Sequence, residues 1–260
     1  MKYKISESNE KKEDVEEYSL IESPQWSWDE ITLSNNTVQQ IEEVLAYMEH
    51  RQKLLDEWNF KRFLKLGNGL SLNFFGQPGT GKSITAEAVA HRLGMNIIKA
   101  NYGELESELV GRTSKNLGKI FKKAEESKSL LFFDEADSLL SRRIKNLSQS
   151  ADYGINTVRS TLLTLLDKFN GIVIFATNLF DNYDDAFLRR IIFHVEFSLP
   201  NEEMRVRLWK FHVSENVPRD ISYEQALSTR QKFSKMQQFL QKFFGSGIHK
   251  ILLTLQVRNH

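Results

Sequence analysis

The sequence contains no cysteine among its 260 residues, which excludes disulfide bonds, zinc–thiolate sites and thiol catalysis. The six histidines are scattered without the spacing of a metal site, and no G-x-S-x-G motif of a serine hydrolase is present. The highly charged first residues lack the apolar stretch of a secretory signal. No apolar run approaches the roughly 20 residues that a membrane-spanning helix needs. These absences predict a soluble, cytoplasmic protein without a membrane segment.

The sequence also lacks an excess of charge of either sign. Lys and Arg number 35 and Asp and Glu number 34, so the formal net charge is +1. A strongly basic field that would attract nucleic acid is therefore absent, and we do not expect nucleic acid as a partner. A hydrophobic content of 40% is ordinary for a globular protein, and the length suffices for one large domain or two small ones.

From residue 71 onward, short apolar runs alternate with helical patterns. The apolar runs predict five strands, over residues 72–75, 96–100, 130–133, 172–177 and 194–197. Between them, apolar residues recur at helical spacing, in one set at Leu117, Ile120, Phe121 and Ala124 and in another at Ile155, Val158, Leu162, Leu165, Leu166 and Phe169. This alternation is typical of an α/β fold with a parallel five-stranded sheet flanked by helices.

Three regions are predicted along the chain. Residues 1–25 have the composition of a charged flexible arm, 26–213 form the α/β core with an N-terminal helix over 37–58, and 214–260 form a small helical appendage. Thr37 or Asn36 is the expected N-cap of the first helix. From about residue 226 the sequence contains Arg and Lys but no Asp or Glu. Truncation, an altered reading frame and a divergent domain would each account for that composition.

Residues 76–83, GQPGTGKS, have the G-x-x-x-x-G-K-[ST] spacing of a phosphate-binding loop (Walker A). Glycines let the backbone direct its N–H groups toward phosphate oxygens, and the following helix directs its positive end at the same charge. Lys82 would reach the β- and γ-phosphates, and the Ser83 hydroxyl would bind Mg²⁺. An ordinary glycine-rich turn is the alternative, but this motif also follows a predicted strand and opens a helix. The predicted nucleotide-binding residues are Gly76, Gln77, Pro78, Gly79, Thr80, Gly81, Lys82, Ser83 and Ile84.

An acidic pair, Asp134 and Glu135, ends the third apolar run, at the edge where open parallel sheets bind ligands. Asp134 would stand near the Mg²⁺ held by Ser83, and Glu135 would deprotonate a water aimed at the γ-phosphate. Capping of the next helix is the alternative, and Asp137 fits either role. Asn178 ends the next apolar run, where its amide would bond the attacking water or the γ-phosphate; alone, it would be a routine strand-ending residue.

Two adjacent arginines, Arg189 and Arg190, precede the last predicted strand. A guanidinium is always charged and needs a carboxylate or phosphate partner. The nearest acids, Asp184 and Asp185, lie almost a helical turn earlier in the sequence. A surface pair bonded to these acids is one interpretation, and such a pair contributes little to stability.

Several of these segments together resemble the AAA family, a branch of the AAA+ P-loop ATPases, over roughly residues 26–213. The segments are GQPGTGKS, LLFFDEAD, ATNLFDNYDDAFLRR and the linking ELVGRTSKNLGKIFKKA. The sequence is similar to bacterial members with a single ATPase module. The resemblance implies ATP with Mg²⁺, ATP hydrolysis and a homo-oligomeric ring, commonly a hexamer. In that family, arginines at the positions of Arg189 and Arg190 act as arginine fingers on the γ-phosphate held by the neighbouring subunit.

The resemblance also implies sites at which this sequence departs from the family pattern. The family threads polypeptide with an aromatic–aliphatic–glycine loop, whose positions here are Leu109, Val110 and Gly111. Leucine grips an extended chain less well than an aromatic ring, so a plain loop hinge is the alternative. The family has a helical lid after its core, and the resemblance implies that residues 214–260 are a partial or divergent form of this lid, because they show none of its signature.

The family segment that lies against the adenine base aligns loosely with WSWDEITL. This alignment suggests Asp29 and Ile31 as adenine contacts. Trp26 and Trp28 in the same segment fit packing roles equally well.

The leading functional interpretation is an ATP hydrolase whose ring remodels or disassembles a protein substrate. A nucleotide-binding assembly or switch module with little turnover is the first alternative, because the lid departs from the family pattern. A DNA-loader ATPase is the second, and the near-neutral charge argues against it. A small-molecule kinase also has a phosphate loop, but the acidic pair, Asn178 and the paired arginines fit hydrolysis by water better.

Overall fold

The computed structural model describes residues 20–53, 57–59, 69–101, 110–141, 150–178 and 183–212. The chain divides after Leu199 into two units, which are described separately. Residues 1–19 of the predicted arm, Leu109, Val213 and the appendage over 214–260 lie outside the described residues.

The first unit is built on a sheet whose described residues form six strands. The strands are β1 (Ile21–Glu22), β2 (Leu70–Gly76), β3 (Ile97–Asn101), β4 (Leu130–Asp134), β5 (Ile172–Thr177) and β6 (Phe193–Phe197). Their order is β1-β3-β4-β5-β2-β6, and the five strands from β3 to β6 in this order run parallel. All five predicted strands are thus present. The prediction of five strands omitted β1, which pairs antiparallel with β3.

Helices cover both faces of this sheet. In the first unit they are α1 (Asn35–Gln52), α2 (Lys82–Arg92), α3 (Val110–Ser127), α4 (Asp137–Leu140), α5 (Ser150–Lys168) and α6 (Asp185–Leu188), together with a 3₁₀ turn at Trp28–Glu30. In the second unit, α7 spans Glu202–His212, and the Asn201 side chain accepts the Met204 N–H at its start. Across the described ranges, no helix combines the length and apolar character that crossing a membrane requires.

Alternation along the strands explains why their sequences are almost continuously apolar. Successive side chains of a strand point to opposite faces of the sheet, and here both faces are covered. Leu131 and Phe133 belong to the core layer shared with α3 and α5, whereas Leu130 and Phe132 belong to the layer shared with α1 and α2. The predicted helical stripe of α3 is buried in the first of these layers.

The first helix begins earlier than its sequence signals predict. Ser34 is the N-cap, and its hydroxyl accepts the backbone N–H of Thr37 at 3.1 Å. The prediction of Thr37 or Asn36 as N-cap is therefore wrong. Thr37 is buried inside the helix, where its hydroxyl donates to the carbonyl of Glu196 in β6 at 2.7 Å. This long-range bond competes with the local capping role that the sequence favours.

The short strand β1 is held to the sheet by charge as well as by backbone pairing. Lys99 of β3 contacts Glu22 of β1 at 2.9 Å and Glu87 of α2 at 3.0 Å. Glu87 also accepts the backbone N–H of Gln25 at 2.9 Å. These contacts direct the chain after β1 toward α2, the helix that follows the phosphate loop.

Candidate functional site

The phosphate loop joins β2 to α2, and its backbone needs glycine at the first and last glycine positions of the motif. Gly76 has a φ of 149°, and a Cβ there would lie 2.1 Å from the carbonyl oxygen of Phe197 in β6. Gly81 has a φ of 98° and is the N-cap of α2. Because this N-cap is a glycine, it has no side chain to bond the first-turn N–H groups, and these groups can bind an anion instead.

Lys82 is the first residue of α2, and its side chain reaches back to the start of the loop. Its ammonium donates to the carbonyls of Gly76 at 2.7 Å and Gln77 at 3.0 Å, and to Oδ1 of Asn178 at 3.0 Å. The side chain is buried, and this burial lowers the pKa of Lys82, while the charges of Asp134 and Asp137 oppose that shift. The structure therefore brings together two predicted site residues, Lys82 and Asn178, which lie 96 positions apart in the sequence.

The predicted magnesium ligands also meet. The Ser83 hydroxyl donates to Oδ2 of Asp134 at 2.8 Å, across 51 residues of sequence. The other oxygen of Asp134 accepts the backbone N–H of Glu135 at 2.9 Å. A hydroxyl and a carboxylate side by side form the hard oxygen donor set that Mg²⁺ prefers, so these residues fit the ion.

Glu135 occupies an unusual backbone conformation. Its φ is 51°, a left-handed conformation that few non-glycine residues adopt. The next residue, Ala136, donates its N–H to the carbonyl of Ala176 in β5 at 2.9 Å, so the turn is attached to the neighbouring strand. The Glu135 side chain is exposed at the carboxyl end of β4, which is the position expected of a base acting on a bound water.

Asp137 has a role that the sequence left open between capping and catalysis. Its Oδ1 accepts the backbone N–H of Asn178 at 2.9 Å while the residue starts α4. Asp137 therefore positions Asn178 from 41 residues away. No local sequence signal identifies this contact, because it depends on the placement of β4 beside β5.

The two adjacent arginines differ in their environment. Arg190 donates from Nε and Nη2 to the two oxygens of Asp167 at 2.8 and 2.9 Å, and from Nη1 to the carbonyl of Ala186 at 2.9 Å. Asp184 instead caps α6 by accepting the N–H of Ala186. Arg189 is exposed, and among the described residues its side chain has no hydrogen bond or ion pair. The sequence missed Asp167, which lies 23 positions before Arg190.

The predicted adenine segment lies beside the phosphate loop. Asp29 is exposed and Ile31 half-buried, and Leu33 is the residue beside Gly81, with its Cδ2 3.8 Å from the position of a Cβ there. Trp28 packs against the core, and the Arg92 guanidinium lies 5.3 Å from its ring centroid. Leu33 is therefore an apolar neighbour of the loop that the sequence did not single out.

The predicted substrate loop is described only in part. Leu109 lies outside the described residues, while the backbone of Val110 and Gly111 forms the first turn of α3. These two residues are therefore helical, and the prediction that they form a loop tip is corrected. A role in substrate contact stays a prediction.

The parallel sheet, the glycine loop, the Ser83–Asp134 pair and the polar end of β5 together define a P-loop nucleotide hydrolase. The family model "ATPase family associated with various cellular activities (AAA)" matches residues 72–199. Two Arabidopsis thaliana relatives, "26S proteasome regulatory subunit 8 homolog A" and "homolog B", are each 32% identical to the chain over 199 residues. The matched part is 73% of this chain and 45% of either relative, so the chain spans less than half of their length. Residues 72–199 therefore form an ATPase domain of the AAA family.

These comparisons confirm the predicted family, the α/β P-loop fold and an ATP-hydrolysing domain. An ATP-dependent activity follows from the family. The bound magnesium, the arginine finger, the ring and the individual roles of the site residues stay predictions.

Proposed function

We propose that this protein hydrolyses ATP within an oligomeric ring, hexameric as is common in the family, and uses the cycle to remodel or disassemble a protein substrate. The observation that carries the proposal is the meeting of Ser83 with Asp134, and of Lys82 with Asn178, at the end of the sheet. These four residues come from three separate chain segments, because Lys82 and Ser83 are adjacent, and they converge at a helix start where an anion is favoured.

Each side chain has a chemical task in the proposed reaction. The loop N–H groups and Lys82 bind the phosphates, and Ser83 with Asp134 would hold Mg²⁺, which neutralises phosphate charge when bound. Glu135 accepts the proton of the attacking water. Asn178 orients that water through its amide, and Asp137 supports its backbone.

The arginine finger is assigned to Arg189 in this proposal. Arg190 is engaged by Asp167 of its own chain through two hydrogen bonds, so its charge is already compensated. Arg189 is exposed at the end of α6 and is available to a γ-phosphate on a neighbouring subunit. Arg190 then supports the turn that presents Arg189.

Action within an assembly is supported by the relatives, which are named as regulatory subunits of the 26S proteasome. We further propose that this chain unfolds or disassembles a protein substrate. The proposed substrate contacts are Leu109, Val110 and Gly111. A cytoplasmic location belongs to the same proposal.

The central experiment compares ATP binding and phosphate release in wild type, Lys82→Ala and Glu135→Gln. Loss of the Lys82 ammonium should weaken ATP binding by roughly 10–100-fold, because each hydrogen bond from a charged group contributes about 1.5–3 kcal/mol. Glu135→Gln should keep ATP binding and lose turnover. Lys122→Ala is the matched control, since Lys122 is an exposed lysine of α3. Wild type that binds ATP without releasing phosphate would indicate the switch module instead.

The ring and its substrate need their own measurements. Size analysis of Glu135→Gln with ATP should show a hexamer that disperses without nucleotide. An unfolded protein should raise the turnover of wild type more than that of Leu109→Ala. Equal turnover with and without the unfolded protein, in both variants, would exclude threading.

A further inference from the structure

Three buried polar side chains form a cluster directly beneath the candidate site. Asn73 of β2 and Thr177 of β5 are 0% exposed, and Tyr183 is 3% exposed. Tyr183 belongs to the core layer shared with α3 and α5, and Asn73 is in register with Phe175 of the same layer. Polar groups in such surroundings destabilise a fold unless they are fully hydrogen-bonded, so the arrangement of the three groups matters.

The three groups satisfy one another in a closed cycle. The amide nitrogen of Asn73 donates to the Tyr183 hydroxyl at 3.0 Å, and the Thr177 hydroxyl donates to Oδ1 of Asn73 at 3.2 Å. The hydroxyls of Thr177 and Tyr183 are also hydrogen-bonded. Because the only hydroxyl hydrogen of Thr177 goes to Asn73, Tyr183 is the donor in that last bond. We name these three residues the polar triad.

The polar triad connects the chain segments that carry the catalytic groups. Asn73 stands three residues before Gly76, the first residue of the phosphate loop. Thr177 immediately precedes Asn178, whose amide bonds Lys82.

Tyr183 ties a third segment to the same triad. It immediately precedes Asp184, the N-cap of α6, and Arg189 follows α6 as its C-cap. The backbone of Tyr183 also bridges to Ser141, which follows α4, the short helix after the acidic pair. The neighbouring Asp184 donates its N–H to the carbonyl of Leu140. The polar triad thus links β2, which leads into the phosphate loop, with β5, which ends just before Asn178, and with the residues that precede α6.

We propose that Asn73, Thr177 and Tyr183 are positioning residues. They fix the positions of the phosphate loop, of Asn178 and of α6 with its C-cap Arg189 relative to one another. This inference rests on the proposed function, because it gives the triad its purpose in ATP turnover. Apolar side chains of similar shape would fill the same space and would stabilise the fold at least as well. Hydrogen bonds differ from such packing because they also define direction, and a fully satisfied network specifies a single arrangement.

Two variants separate positioning from stability. Tyr183→Phe removes one hydroxyl and leaves the Asn73 amide without its acceptor, so both stability and geometry should suffer. The triple variant Asn73→Leu/Thr177→Val/Tyr183→Phe replaces the whole cluster by apolar groups and should recover most of the lost Tm. Ser129→Ala is the control, because it deletes another buried hydroxyl, bonded to Ser127, just before β4 and so at the opposite end of that strand from Asp134.

The first readout is hydrogen exchange without nucleotide, followed by mass spectrometry. Amides of residues 172–178 and 183–192 should exchange severalfold faster in both triad variants, although the triple variant melts near wild type. In Ser129→Ala these segments should match wild type. If these amides exchange at the wild-type rate in the triple variant, the proposal is overturned. This readout is valid whether or not the protein hydrolyses ATP.

The second readout is steady-state ATP turnover. The triple variant should lose about tenfold or more in kcat with little change in KM, since a displacement of about 1 Å in a catalytic group can cost roughly 100-fold. Recovery of kcat together with Tm in the triple variant would assign the triad to stability alone. Inactive wild type with altered exchange in the variants would count against the proposed function and leave the positioning role standing.

Discussion

Arg190 and Asp167 form a two-pronged ion pair, in which Nε and Nη2 of the guanidinium each donate to a different carboxylate oxygen, at 2.8 and 2.9 Å. The hydrogen bonds with Asp167 raise the pKa of Arg190 further above its already high range. Asp167 lies near the end of α5, so the pair connects that helix to the turn after α6. Its neighbour Arg189 is left exposed, and the two adjacent arginines are therefore not equivalent.

The first prediction follows from this difference. Arg189→Ala should lower ATP turnover about 1,000-fold or more, the effect of losing an arginine finger, while leaving Tm unchanged. Arg190→Ala and Asp167→Asn should each lower stability by roughly 1 kcal/mol or less, because the pair is partly exposed, and should lower turnover less than Arg189→Ala. Phosphate release and thermal melts of the three variants measure both effects.

The control for that series is Arg207→Ala, which removes an exposed arginine paired with Glu203 in α7 of the second unit. It should leave turnover unaffected. Turnover that falls equally in Arg189→Ala and Arg190→Ala, at unchanged Tm, would contradict the assignment of the finger to Arg189 alone.

The second prediction concerns sharing of sites between subunits. Glu135→Gln lacks the proposed base but keeps Arg189, and Arg189→Ala lacks the proposed finger but keeps Glu135. Mixed rings should therefore regain part of the wild-type turnover at boundaries where an intact base faces an intact arginine. Native mass spectrometry verifies that mixed rings form, and phosphate release measures the recovery. Mixed rings without any recovery would exclude an arginine acting between subunits.

The third prediction compares two glycines with opposite surroundings. Gly76→Ala should destabilise the protein by about 1–3 kcal/mol or more, because the added Cβ would lie 2.1 Å from the Phe197 carbonyl. Gly118→Ala should stabilise it by roughly 0.5–1 kcal/mol, since Gly118 lies within α3 and nothing stands within 4 Å of its Cβ position. Denaturant unfolding measures both. Equal effects of the two substitutions would refute the close approach of β2 and β6 at Gly76.

The fourth prediction is the titration of Tyr183. Burial raises the pKa of Tyr183 to about 12, and the hydrogen bonds with Thr177 and Asn73 only partly offset this rise. The protonated hydroxyl is the form that the fold favours. Its contribution to stability should thus be complete below the ordinary pKa of 10.0 and disappear as pH rises toward 12.

Ultraviolet absorbance of tyrosinate measures that titration directly. The difference between wild type and Tyr183→Phe should show one tyrosine that ionises near pH 12, and Tyr47→Phe serves as the comparison because Tyr47 is half-buried. A difference spectrum centred at pH 10 would contradict the burial of the Tyr183 hydroxyl.

Local patterns in the sequence were sufficient to predict the five parallel strands and the phosphate loop. Period-two and helical repeats of apolar residues reflect which side chains must leave water, and that requirement acts within a few neighbouring residues. The loop motif is equally local, since Gly76, Gly81, Lys82 and Ser83 lie within a span of eight residues. The acidic pair and Asn178 were predicted because strand ends are visible in sequence.

Only the tertiary structure decided which of the two arginines is paired, which residue supports Asn178 and how the three segments of the candidate site are joined. Asp167 meets Arg190, Asp137 meets Asn178, and Asn73 meets Tyr183 across separations of 23, 41 and 110 residues. Such contacts depend on how strands are ordered in the sheet and on what covers them, and a single polar residue carries no local sign of its distant partner. The physical reason is that a hydrogen bond depends on the distance between two groups in space, whereas the sequence records only their separation along the chain.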